Sequence, residues 1–245
     1  MKEKIYAIPI NDALNEENFC PFCYLYKQLE EDAVTYTLGP AMMEPDFRII
    51  TNKTGFCQKH IKQLNAQSKA LPLSLLLQTH IETIQKLLDE DLKSQKKSIL
   101  KKGNKKIDEV VFGLEKIKDS CAVCDRIENT FTRYFDTFIY MLKHENDFLE
   151  KVLKTDGFCM EHFTMLINKA KEKLSENEFK KLFIPVIDLQ KKKISVWYEN
   201  IKSFEKSHDY RNAGKPVNFP KDTILKASYL LNGEFKPLEK KIEKI

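Results

Sequence analysis

GFCQKH at residues 55–60 recurs as GFCMEH at residues 157–162, and the reading of that pair decides the fold. A cysteine and a histidine three positions apart share one face of a helix. A CxxC pair precedes each copy: 33 residues lie between Cys23 of the first pair, Cys20 and Cys23, and Cys57, and 34 lie between Cys124 of the second pair, Cys121 and Cys124, and Cys159. All six cysteines of the chain fall into this arrangement. The flanks agree as well: ENFCPFCYLYKQLE parallels KDSCAVCDRIENT, and each GFCxxH is followed by a short amphipathic stretch and then a longer helical one. The chain therefore reads as a duplicated subdomain. The first repeat is expected at 1–97, the second at 98–206, and residues 207–245 form a C-terminal loop and short helix packing on the bundle.

Composition supports helices. Of 245 residues 42% are hydrophobic, and only seven are Gly and nine Pro, which suits long helices better than the turn-rich economy of a sandwich. The expected fold is all-α, with duplicated helical subdomains each clamped by a Cys3His metal site that joins helix N-termini. The charge of +5 is a small excess of 41 basic over 36 acidic residues, a weak argument for a polyanionic partner. The first residues lack an apolar signal core, and the longest apolar run, near LPLSLLLQ, is too short to cross a bilayer. The expectation is a cytoplasmic protein with no membrane partner, where patterned cysteines hold metal or do redox chemistry rather than form permanent disulfides.

Local signals place the motifs. Pro21 suits a first helical turn, and Phe22, Leu25, Tyr26, Leu29 and Ala33 follow helical spacing, so a helix starts on CPFC and stops near Gly39-Pro40. Asp119 and Ser120 are N-cap candidates for the second CxxC helix, whose buried stripe runs through Cys124, Ile127, Phe131, Tyr134, Phe135 and Phe138. Gly55 and Gly157 suit a positive-φ entry into the next helix. Ser175 and Glu178 form a capping box for a long helix with the stripe Leu182, Phe183, Val186, Leu189, Ile194 and Trp197; Pro185 kinks it if it begins well upstream. Trp197 and Tyr198 read as core, and His80 and His144 as surface or core-edge residues. KSQKKSILKKGNKK, residues 93–106, reads as a solvated basic connector; it has no aromatic residue to stack a base, which argues against nucleic acid. HDYRNAGKPVNFP reads as a loop and DTILKASYLL as a short helix.

Three thiolates and an imidazole are a common structural set for tetrahedral zinc. Taken within each repeat, the sets are Cys20, Cys23, Cys57 and His60, then Cys121, Cys124, Cys159 and His162, giving two zinc ions per chain. Four protein ligands leave no open position for water, against catalytic zinc. Dithiol–disulfide cycling of the CxxC pairs, as in a thiol-based redox or metal sensor, and an iron–sulfur cluster are the alternatives.

CPFC, MMEPDFRIITNKTGFCQKH, CAVCDRIENT, GFCMEHF and HDYRNAGKP, in that order, resemble a bacterial family known as domain of unknown function 6062, over nearly the whole chain. The resemblance implies a cytoplasmic, mostly helical, metal-binding protein and brings no established activity. It also marks Glu44, Asp46, Arg48 and Asn52 before the first GFC, and Asp209, Tyr210, Arg211 and Asn212 in the tail. Because the second copy has HENDFLEKVLKTD where the first has MMEPDFRIITNKT, the copies are not equivalent there. Arg48, His208, Tyr210 and Arg211 are candidates for a small-molecule or anion-binding site, or for the site of an enzyme; the rival reading is a loop packed by Met and Phe with an Asp–Arg ion pair to the tail. The leading expectation is an interaction or regulatory module, with a protein or small-molecule partner, rather than an enzyme.

Overall fold

A computed structural model describes residues 5–17, 19–95, 103–212 and 219–233. The described residues are helical, with no strand among them. In chain order the α-helices are α1 (Ala7–Asn15), α2 (Pro21–Thr37), α3 (Pro45–Thr54), α4 (Gln58–Ala66), α5 (Ala70–Gln95), α6 (Gly103–Lys118), α7 (Ala122–His144), α8 (Phe148–Leu153), α9 (Met160–Lys173), α10 (Glu176–Ser207) and α11 (Thr223–Asn232). Short 3-10 turns sit at Pro40–Met43 and Tyr210–Asn212. Of the basic connector, residues 96–102 lie outside the described residues, and its two ends belong to α5 and α6.

The chain forms two compact units, one from residues 28–131 and one from 1–27 together with 132–245. We call them the continuous unit and the split unit. In the continuous unit α3 and α6 pack on α5, over buried Phe47, Leu64, Leu73, Leu76 and Ile127. Pro45 opens α3, and Gly55 ends it at φ 58°, its N–H bonded to the Thr51 carbonyl. Only glycine tolerates that conformation without strain. The split unit is built around aromatic rings: Phe22 stacks on Phe135 at 4.1 Å, and Phe138 meets Phe148 edge-on at 5.1 Å. Phe22, Phe138, Phe148, Phe158 and Phe183 are almost fully buried. Each contributes about 1.5–3 kcal/mol by leaving water.

The long helix α10 begins as expected, with the Ser175–Glu178 capping box present and Pro185 inside it. Its buried face differs from the expected stripe. Phe183 and Val186 are buried, but the next inward positions are Gln190 and Lys193, while Ile194 is 40% exposed. Tyr198 is 59% exposed and carries Lys202 over its ring, so it is not core. Trp197 is half-buried, 6.0 Å from Phe19 at the wall of a cleft of about 790 Å³. The reason is that α10 points polar side chains inward to bind backbone near the cysteines, which displaces the apolar register outward.

Candidate metal centres

Two sets of four side chains converge. Cys20, Cys23, Cys159 and His162 form one, in the split unit; Cys57, His60, Cys121 and Cys124 form the other, in the continuous unit. Within each set the sulfur and imidazole nitrogen atoms all lie within 4.8 Å of one another, a grouping that could hold a metal ion. Each is Cys3His, as expected, but the partners are exchanged. The first CxxC meets the second CxxH, 136 residues on from Cys23 to Cys159, and the second CxxC meets the first CxxH.

Helix length explains the exchange. α2 has 17 residues, about 25 Å long, whereas α3 has only 10, about 15 Å. The Gly55 loop thus arrives beside the middle of α2, where His60 meets Glu30. Likewise α7 has 23 residues, about 35 Å, and α8 only 6, about 9 Å. Phe158 accordingly packs against Phe138, 6.1 Å away and deep in α7. A count of 33 or 34 intervening residues suggests closure within a repeat, but helices of unequal length bring each GFC loop to the other repeat's CxxC instead.

The first cysteine of every motif stands at a helix N-cap. Cys20, Cys57, Cys121 and Cys159 each accept, through the backbone carbonyl, the first helical N–H, from Tyr24, Ile61, Asp125 and Phe163. The second residue of each motif then falls in the first turn, and two helix N-termini face each set, where their positive ends favour thiolate. Cys159 Sγ also accepts the His162 backbone N–H. Asp119 and Ser120 do not cap α7; Ser120 Oγ instead donates to the Thr54 carbonyl at 3.0 Å, while the free N–H of Ala122 at the start of α7 reaches the Gly55 carbonyl at 3.1 Å. Those two bonds seat the first GFC loop on the end of α7.

In the continuous unit, His60 Nδ1 lies 3.3 Å from Cys57 Sγ, 3.4 Å from Cys121 Sγ and 3.2 Å from Cys124 Sγ. Its Nε2–H donates to Glu30 Oε1 at 3.3 Å, which fixes the tautomer that leaves Nδ1 as the donor atom. Gln63 donates to the other Glu30 oxygen and Lys59 pairs with the first. Burial pushes the Glu30 carboxyl up, but the bonds from His60, Lys59 and Gln63 outweigh it and hold it at about 2. Burial raises the Cys121 thiol too, yet the His60 bond and nearby backbone N–H groups bring it to about 6; Cys124 is pushed up to about 12 by burial and by the charge on Cys121. Packed sulfurs that cannot all ionise beside one another are what a divalent cation neutralises.

In the split unit the corresponding distances to His162 Nδ1 are 3.6 Å from Cys20, 3.4 Å from Cys23 and 3.3 Å from Cys159. Here the surroundings come from α10 and α11. Gln190 is buried and clamps the second GFC loop with two bonds, accepting from Phe158 N–H at 3.0 Å and donating to its carbonyl at 2.9 Å. The buried Lys193 donates to the Phe19 carbonyl at 2.5 Å and lies 3.7 Å over the Phe19 ring; burial draws its ammonium down to about 8 against the attraction of Cys20 and Asp156. Gly233, at φ 79°, closes α11 over the sulfurs: a side chain there would begin 3.4 Å from Cys23 Sγ and 3.7 Å from Cys159 Sγ. Glu30, Gln190, Lys193 and Gly233 were not among the sequence candidates; the one signal for the α10 pair is their spacing of four and seven from Val186.

Of the other candidates, Arg48, His208 and Arg211 are occupied locally. Arg48, in the continuous unit, donates to the Leu75 carbonyl and Thr79 Oγ1. In the split unit His208 bonds the Phe204 carbonyl and packs on its ring, Tyr210 is 86% exposed, and Arg211 pairs with Asp209 at 2.7 Å. The Asp–Arg pair is thus internal to the tail, and Met43 is 76% exposed rather than packed. His80 donates from Nδ1 to the Asn52 carbonyl at 2.8 Å.

No curated protein and no solved structure matches the chain. A family model does, over residues 1–237, a span that takes in both Cys3His sets. The chain belongs to the family of unknown function DUF6062.

Proposed function

We propose that the protein binds two zinc ions, one in each Cys3His set, and that each ion ties two helix N-termini together in a module for interaction or regulation. The observation that carries this reading is the convergence of three sulfurs and one imidazole Nδ1 within 4.8 Å, twice. Tetrahedral zinc with bonds near 2.3 Å to sulfur and 2.0–2.1 Å to nitrogen places its ligands about 3.8 Å (S···S) and about 3.6 Å (S···N) apart. One sulfur pair in each set, Cys23–Cys159 and Cys57–Cys124, stands at 3.7 and 3.9 Å, and the sulfur–nitrogen pairs stand at 3.2–3.6 Å. An iron–sulfur cluster spreads its protein ligands over several irons, and a span of 4.8 Å is too short for that.

Four protein donors make these structural rather than catalytic ions, which weighs against an enzyme. Arg48 and Arg211 already have protein partners, which weighs against an anion site built on them. The shared use of an N-cap cysteine after a positive-φ glycine, at Cys57 and Cys159, supports an internal duplication whose halves exchanged ligands. A reducing, cytoplasmic setting suits six cysteines that are not joined in disulfides. Elemental analysis of protein purified without added metal tests the reading: two zinc per chain is expected, and iron or an absence of metal contradicts it.

A further inference from the structure

The two sets differ in the access they give to their sulfurs. In the split unit Cys20 and Cys159 are fully buried, Cys23 and His162 are 8% and 7% exposed, and the Gly233 backbone covers the sulfurs. In the continuous unit His60 and Cys121 are 1% and 3% exposed, but Cys57 and Cys124 are only half-buried. These two open sulfurs are also neighbours, 3.9 Å apart.

We propose that Cys57 and Cys124 are an oxidant-responsive pair that a hydroperoxide joins in a disulfide, releasing the ion of the continuous unit alone. This rests on the reading of both sets as zinc sites. One thiolate attacks the peroxide; the O–O bond breaks, the sulfur becomes a sulfenic acid and hydroxide (or alkoxide) leaves. The second thiolate then attacks that sulfur and expels a second hydroxide. In all, two thiolates, one hydroperoxide and two protons give a disulfide, water and a second water or alcohol, with the sulfurs losing two electrons and the peroxide gaining them.

The geometry favours this pair on two grounds. The sulfurs must close by about 1.9 Å to reach a bond near 2.05 Å, and Cys57 ends a non-helical stretch, residues 55–57, rather than lying inside a helix. The set would then lose two of its four donors at once, leaving Cys121 and a His60 still tethered to Glu30. Cys23 and Cys159 are as close, at 3.7 Å, but both are buried, at 8% and 0% exposed, with Gly233 at the end of α11 beside their sulfurs.

The test uses the full-length, zinc-loaded wild-type protein, so that no substitution can confound folding. Hydrogen peroxide is added, zinc release is followed with a chromogenic chelator, and the cysteines are read by differential alkylation and peptide mass spectrometry. One zinc per chain should leave about tenfold or more faster than the other, as accessibility controls thiolate attack, with a Cys57–Cys124 disulfide that dithiothreitol reverses. Release of both ions at similar rates, or a first disulfide among Cys20, Cys23 and Cys159, overturns this proposal and leaves the zinc reading standing. Protein that holds no zinc overturns both.

Discussion

The two GFC loops place a cysteine at a helix N-cap by the same backbone route, yet different side chains hold them. The loop at Gly55 is fixed from three sides by single bonds: His80 on the Asn52 carbonyl, Ser120 on the Thr54 carbonyl and Ala122 N–H on the Gly55 carbonyl. The loop at Gly157 is held by one buried glutamine that satisfies both backbone groups of Phe158, with Lys193 anchoring the facing Phe19. The ligand types and the glycine are what the metal geometry demands; the supports only have to satisfy backbone groups and can be supplied by any helix that passes. One loop consequently sits at an open site and the other at a closed one.

The largest expected difference comes from removing a thiolate on each side. Cys159→Ala leaves a cavity and two stranded sulfurs in a dry site and should cost about 5 kcal/mol or more, against about 3 kcal/mol for the half-buried Cys57→Ala. Urea unfolding curves measure both, and equal losses would remove the distinction between closed and open sites. Next are the glycines. A Cβ on Gly55 would lie 2.4 Å from His80 Nε2, while one on Gly157 would meet Gln190 Oε1 at 3.0 Å. Both also strain a positive φ, so Gly55→Ala should cost about 3 kcal/mol and Gly157→Ala about 2. Adding His80→Ala to Gly55→Ala should return part of that loss; no recovery would mean that φ alone decides.

The loop supports come third. Gln190→Leu strands a buried N–H and a buried carbonyl and should cost about 2–3 kcal/mol, whereas His80→Ala frees one carbonyl and should cost about 1 kcal/mol. Thermal melts rank them, and the reverse order contradicts the account. The smallest effect is a pH slope at the start of α10. Lys143, with the Ser175 N–H and hydroxyl, holds exposed Glu178 at about 2. Its pKa is depressed on folding, so its stabilisation is complete above the unfolded value near 4.5 and fades as pH falls toward 2. Glu178→Gln should flatten that part of the melting-temperature profile; an unchanged slope would assign it to other carboxylates.

Much of this was legible in the chain. CPFC, with its proline at the first helical position, announced where α2 begins, and Ser175 with Glu178 announced α10, because caps are local chemistry that a few residues decide. The eight ligand-type residues stood out because all six cysteines obeyed one spacing. Their pairing was hidden, since it depends on how far α2, α3, α7 and α8 each carry the chain rather than on the number of residues between motifs. Gln190 and Lys193 were hidden for another reason: a polar residue at an inward position looks like a gap in an apolar stripe until the backbone group it serves is in view. Ser120 resembled a cap because its type suits one, but Cys121 takes that position to direct its sulfur at His60.

The exchanged pairing is most directly tested by counting zinc in two double variants. Cys23→Ala with Cys159→Ala damages a single set, so one zinc per chain should remain; Cys23→Ala with Cys57→Ala damages both, so none should remain at full occupancy. If ligands were instead drawn from within each repeat, the first variant would hold none and the second would keep one, and that outcome would contradict the account.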